Sequence, residues 1–194
     1  MKRKIGGIIL KKVYVFLANG FEEIEGLTVV DLLRRAGVEL TTVSIHNTKQ
    51  VMGAHKIEVK ADILLEEMDK EGADAIVLPG GMPGMTNLKE NEIVKEMIFS
   101  YEKAGKLIAA VCASPSIFSE FGLLKGKNAT SYPSFEENLI AHGAIYSKET
   151  VVRDGNIITS RGLGTSIDFA LAIISYLIDE NKADEVAQSI VYNK

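Results

Sequence analysis

The chain has 194 residues, enough for one α/β domain with a substantial core. An apolar share of 46% with a charged share of 25% fits a globular protein, and a formal net charge of −4 argues against a nucleic-acid partner. A single cysteine excludes an internal disulfide framework and a cysteine-rich zinc site, and three scattered histidines argue against any other metal site; the cysteine count fits a reducing cytoplasm.

Met1-Lys2-Arg3-Lys4 is basic, and the apolar run from Ile5 to Leu10 is too short for a secretory signal. Residues 1–11 read as a short extension, and 12–194 as a single domain. No apolar stretch is long enough to cross a bilayer, so no membrane partner is expected.

Val13 to Ala18 is a first buried strand, and Asn19-Gly20 is its turn. Glu22 to Ala36 has helical spacing, with Ile24, Leu27, Val30, Leu32 and Leu33 near a 3.6 period and Gly37 as the stop. Glu39 to Ile45 is a strand, and His46 to Lys60 an irregular or hairpin excursion around Gly53. Asp62 to Met68 reads as a short helical piece. Ala75 to Leu78 is a third buried strand, ended by Pro79-Gly80-Gly81. Ile93, Val94, Met97, Ile98 and Tyr101 mark a helix.

Leu107 to Val111 is apolar on both faces and too short for a helix, so it reads as a buried parallel strand. It runs straight into Cys112. Ser114 can cap a helix and Pro115 suits its first position. Cys112 therefore belongs at a strand-to-helix elbow, where open α/β sheets bind ligands. Free N–H groups at a helix start favour a thiolate, the nucleophilic form. A buried, inert core cysteine would give the same local pattern.

Small strands are expected at Asn128–Ser131 and within Ile145–Arg153, around a helix near Phe135–Ala141. Ile157 to Ser160 is another buried strand. Arg161-Gly162-Leu163-Gly164 turns into a helix from Thr165 to Ile178, and Asp184 to Tyr192 is a last helix. Strands alternating with helices predict a mainly parallel sheet with helices on both faces.

Parallel strands send their outgoing turns to one edge, so three turns meet: Asn19 to Glu25, Pro79-Gly80-Gly81 and Cys112-Ala113. A carboxyl group beside the thiol would share its proton. Glu22, Glu23 and Glu25 are all candidates, and spacing does not choose among them. Alternatively, all three merely complement the helix dipole. The N–H groups of Gly81 and Ala113 could form an anion hole, although Gly80-Gly81 could equally be a plain tight turn. No dinucleotide or P-loop signature occurs.

Phe21-Glu22-Glu23-Ile24-Glu25, Leu78-Pro79-Gly80-Gly81, Ala109-Ala110-Val111-Cys112-Ala113-Ser114-Pro115 and Thr159-Ser160-Arg161-Gly162-Leu163-Gly164-Thr165 follow one another in this order. With them the chain resembles the ThiJ/PfpI superfamily, in its DJ-one-like branch, from about Lys12 to Tyr192. The resemblance implies a flavodoxin-like three-layer α/β/α sandwich and a homodimer. It makes Cys112 the elbow nucleophile, oxidisable to a sulfinate, with Glu25 its carboxylate partner. Gly81 and Ala113 become the anion-hole donors, and Gly80, Tyr132, His55 and Arg161 line the pocket. Tyr132 stands where a relative has histidine, and His55 where it has an arginine from the other subunit. A tyrosine hydroxyl hydrogen-bonds but is a poor base near neutral pH.

The implied function is cofactor-free chemistry on small reactive carbonyls or glycated adducts, glyoxalase- or deglycase-like, in stress protection. A redox sensor or chaperone-like protein that stops at the sulfinate is the alternative. An intracellular peptidase ranks last, because Ala113 follows the cysteine where the protease-like branch carries histidine.

Overall fold

A computed structural model of the chain describes Lys4–Ile5, Ile8–Ile9 and residues 11–193. Lys4–Ile5 (β1) and Ile8–Ile9 (β2) pair antiparallel. The remainder of the expected extension over 1–11, residue 11 apart, lies outside the described residues. The domain then runs β3 (Lys12–Leu17), α1 (Glu23–Arg35), β4 (Glu39–Ser44), β5 (Gln50–Met52), β6 (Glu58–Lys60), β7 (Ile63–Leu64) and β8 (Ala75–Leu78). It continues with α2 (Gly84–Glu90), α3 (Glu92–Lys103), β9 (Leu107–Val111), α4 (Pro115–Glu120), β10 (Asn128–Ala129), α5 (Glu136–Ala141) and β11 (Ile145–Tyr146). The last elements are β12 (Val151–Asp154), β13 (Ile157–Ser160), α6 (Ser166–Leu177) and α7 (Glu180–Ser189).

Seven strands form the main sheet in the order β12-β13-β9-β8-β3-β4-β7. Only the β12–β13 pair is antiparallel. The central strands are buried on both faces, and their alternation feeds two cores. Val13, Val15, Val77, Ala109 and Val111 join α1, α6 and α7 on one face. Tyr14, Phe16, Ile76, Leu78, Ile108 and Ala110 join the residues of α3 and α4 on the other. The Val, Leu, Ile and Phe side chains among these each contribute roughly 1.5–3 kcal/mol when fully buried, which holds the sheet as the middle layer of a sandwich.

The chain leaves β3 towards β4, then returns to place β8 on the other side of β3. The order reverses there, and the turns after β3, β8 and β9 open at the same edge, as in other doubly wound sheets.

Some local expectations change. Asp62 to Met68 holds β7 and a single 3-10 turn at Leu65–Glu67, because Ile63 and Leu64 pair with Val43 and Ser44. α2 lacks a clear apolar stripe and was not visible in the periodicity. α7 starts four residues before the expected Asp184, since the Asp179 carboxylate accepts the Lys182 N–H and caps it there. Ser114 occupies the cap position of α4, but its hydroxyl donates to the Pro79 carbonyl at 2.6 Å and ties this elbow to the β8 turn.

Candidate active site

Cys112 lies between β9 and α4 with φ +64°, a left-handed conformation uncommon for a side-chain-bearing residue. Two bonds hold it there. Its N–H donates to the Ser160 carbonyl at 3.0 Å, and its carbonyl accepts the Tyr132 N–H at 2.8 Å. Such a conformation costs on the order of 1–3 kcal/mol and marks sites where the fold aims a side chain.

The sulfur receives the backbone N–H groups of Ala113 and Gly81 and bonds to the Glu25 side chain. Glu25 sits on the first turn of α1 and is 1% exposed; its Oε2 accepts the Gly80 N–H at 2.9 Å. Gly80 passes between the two groups. A Cβ there would lie 2.6 Å from both Cys112 Cβ and Glu25 Oε2, so no other residue fits without displacing one of them. Gly81, at φ +92°, leaves room for the neighbouring Gly20 carbonyl and Glu22 N–H.

Burial raises the Glu25 carboxyl to about 7, opposed by its bonds to Cys112 and Gly80 and reinforced by the charge on Glu22. Burial, with the Glu25 charge and hydrogen bond, pushes the Cys112 thiol up to about 12; the N–H groups of Ala113 and Gly81 pull the other way. This corrects the expectation of a thiolate favoured by the helix start alone. A six-residue helix and two N–H donors do not outweigh a buried neighbouring carboxylate. The pair behaves as one unit that shares a proton.

The three acids of the α1 turn divide their tasks. Glu23 is buried, and its carboxylate takes the N–H groups of His55 (2.8 Å) and Ile57 (3.4 Å) and the His55 ring Nδ1 (3.0 Å). It anchors the β5–β6 hairpin, and its pKa is lowered because these bonds outweigh burial. Glu22 also faces His55, at 3.5 Å. Ligand atoms of Glu22, Glu23 and His55 lie within 4.8 Å of one another, an arrangement the ion pair itself accounts for.

The expected pocket residues separate. Gly80 and Tyr132 lie at the dyad, Tyr132 through its backbone bond to Cys112. His55 is two-thirds exposed and engaged with Glu22 and Glu23, while the Arg161 guanidinium donates to the Lys148 carbonyl. Sequence reasoning assigned Gly162 no place in the site. A Cβ built on it would stand 3.8 Å from Glu25 Oε1, 3.9 Å from Cys112 Sγ and 3.5 Å from the Tyr132 ring. The signal was the Gly-Leu-Gly turn after β13, read only as the entry to the helix that follows. Its strand pairs with β9, which sets Gly162 beside Cys112 instead.

The other imidazoles are engaged elsewhere: His46 Nε2 accepts the Asn19 N–H, and His142 Nδ1 meets the Asn138 carbonyl. A cavity of about 560 Å³ between β12, α6 and α7, lined by residues such as Arg153, Asp168 and Tyr192, includes neither dyad residue.

A family model described as the DJ-1/PfpI family matches residues 11–176. Drosophila melanogaster dj-1beta is 38% identical over 181 residues, spanning 93% of this chain and 97% of that protein. The crystal structure of Drosophila DJ-1beta matches with a TM-score of 0.92 at 37% identity, over 96% of this chain and 100% of that one. A structure of oxidised Toxoplasma gondii DJ-1 matches at 0.90 and 36% identity, over 95% of this chain and 100% of that one.

Proposed function

The chain belongs to the DJ-1/PfpI family, and from that premise we propose that Cys112 and Glu25 carry out cofactor-free conversion of small α-oxoaldehydes to hydroxy acids. The observation that carries this reading is a thiol hydrogen-bonded to a buried carboxyl group, under two N–H donors.

Glu25, ionised near neutral pH, takes the Cys112 proton as sulfur adds to the aldehyde carbon. The product is a hemithioacetal. Glu25 then moves a proton from that carbon to the adjacent carbonyl carbon through an enediol, giving a thioester of the 2-hydroxy acid. Water hydrolyses the thioester, releasing the acid and restoring the thiol. One carbon is oxidised and its neighbour reduced, so no outside oxidant enters. The Gly81 and Ala113 N–H groups stabilise charge on sulfur and on an oxygen bound next to it.

In steady state, methylglyoxal should be turned over many times by the wild type. Cys112→Ser should abolish lactate formation, and Glu25→Gln should lower kcat by on the order of 100-fold or more. Undiminished turnover in Cys112→Ser would overturn the assignment.

A redox sensor is the second reading, favoured by the same donors, which also suit the oxygens of a sulfinate. The oxidised state of the Toxoplasma gondii relative fits it. Two peroxide molecules convert the thiol to a sulfinic acid and release two waters. A sensor consumes its oxidant once per chain, whereas an enzyme processes many aldehydes. The peptidase reading is not supported by the site: among the described residues no imidazole meets Cys112.

A further inference from the structure

We propose that Gly162 and Tyr132 set the substrate class of this site, which takes uncharged α-oxoaldehydes whose apolar substituent lies over Gly162 against the Tyr132 ring. The inference rests on the carbonyl reading for the reaction, but its geometry concerns any molecule that reaches the sulfur.

Gly162 presents hydrogen where other residues present a side chain. The position of its missing Cβ is in ordinary contact range of the sulfur, the Glu25 carboxyl and the Tyr132 ring at once. The space above the dyad is therefore bounded by that ring and left open by this glycine. The Tyr132 backbone is fixed at both ends: its N–H donates to Cys112, and its carbonyl accepts the Phe135 N–H and the Ser131 hydroxyl. The same bonds that hold the elbow place its backbone, and the residue stays half exposed. Leu163 and Met82, which follow Gly162 and Gly81, are each more than half exposed and add apolar surface beside the same two turns.

The charges acting on the dyad are negative. Glu25 acts on Cys112, and Glu22 acts on Glu25. The two basic side chains expected to line the pocket are directed elsewhere, Arg161 to the Lys148 carbonyl and His55 to Glu22 and Glu23. A carboxylate or phosphate on the substrate meets these negative charges where, among the described residues, no basic side chain bonds to Cys112 or Glu25, whereas an uncharged alkyl or aryl group meets Tyr132.

Alkylation of Cys112, followed by intact mass, tests this without requiring turnover. Rates are compared with those of a free thiol under the same conditions. Iodoacetamide should be favoured over iodoacetate by about tenfold beyond the free-thiol ratio, and N-phenylmaleimide over N-ethylmaleimide by several-fold. Tyr132→Ala should erase the phenyl preference and leave the charge preference. Gly162→Val should slow the phenyl reagent most. Equal rates with the anionic and neutral reagents, or a phenyl preference that survives Tyr132→Ala, would overturn the proposal. In turnover, phenylglyoxal should exceed methylglyoxal in kcat/KM by about tenfold in the wild type and not in Tyr132→Ala. Absence of all turnover with the alkylation pattern intact would refute the carbonyl chemistry while leaving the selectivity standing.

Discussion

Glu25 and Cys112 ionise as a pair. Below pH 7 both carry a proton. With Glu25 raised to about 7 and Cys112 to about 12, the interval between holds one proton between them. Only in that interval can the carboxylate accept the thiol proton as sulfur attacks. The rate of iodoacetamide alkylation should therefore rise with pH through a midpoint near 7 in the wild type. Glu25→Gln removes both the base and the negative charge that raises the thiol. The step near 7 should vanish in that variant, and the thiol should titrate below its wild-type position. A wild-type profile flat through pH 7 would contradict a shared proton. The neighbouring Glu23 has the opposite environment, an acid held ionised by the hairpin it anchors. Two carboxyl groups two residues apart thus have opposite pKa directions, because α-helical phase turns them roughly 200° apart.

At the scale of the element, the elbow works because two turns lock together. Ser114 binds the Pro79 carbonyl, and Gly80 binds Glu25, so the β8 turn and the β9–α4 turn move as one. Gly80 is the tightest point. Gly80→Ala should push Cys112 and Glu25 apart, lowering turnover on the order of 100-fold and stability by about 1–3 kcal/mol, as overpacking does. Gly164→Ala, where a Cβ meets nothing within 4 Å, should leave both near the wild-type values. Thermal melts and steady-state rates on the two variants separate a packing requirement from a general intolerance of the loops. Equal behaviour of the two would remove the special role of Gly80.

Across the whole molecule, exposed apolar side chains gather near the start of α1 and on the hairpin it anchors. Ile24, Met52 and Ile57 are each more than 40% exposed, and Glu23 joins these two segments. A patch of this kind favours self-association. Light scattering at micromolar concentration should give about twice the 21.1 kDa chain mass, and Ile57→Glu should shift it towards the monomer. A wild-type monomer would refute the dimer.

Much of the layer order was legible in local pattern. Doubly buried strands such as Ala75–Leu78 and Leu107–Val111 are short, apolar and bounded by turn residues, so their type follows from chain-local burial. The elbow was legible because an apolar strand, a cysteine and a Ser-Pro helix start adjoin in sequence. Less was legible where long-range contacts decide. The piece after Asp62 becomes strand because β4 offers an edge, and periodicity contains no information about that neighbour.

The sequence by itself determined the alternation of strands and helices, the position of Cys112 at the strand-to-helix elbow and the gathering of glycine-rich turns at one sheet edge. These depend on residue spacing and on side chains next to one another in the chain. Spacing left three glutamates open and only the resemblance named Glu25; tertiary structure decided that Glu25 meets the sulfur, where the His55 and Arg161 side chains are directed, and that Gly162 faces the dyad. It also decided the proton balance of Cys112. Burial and the approach of a carboxyl group 87 positions away in sequence outweigh the local pull of a helix start. Electrostatic energy depends on distance through space and on exclusion of water, and neither is set by neighbours along the chain.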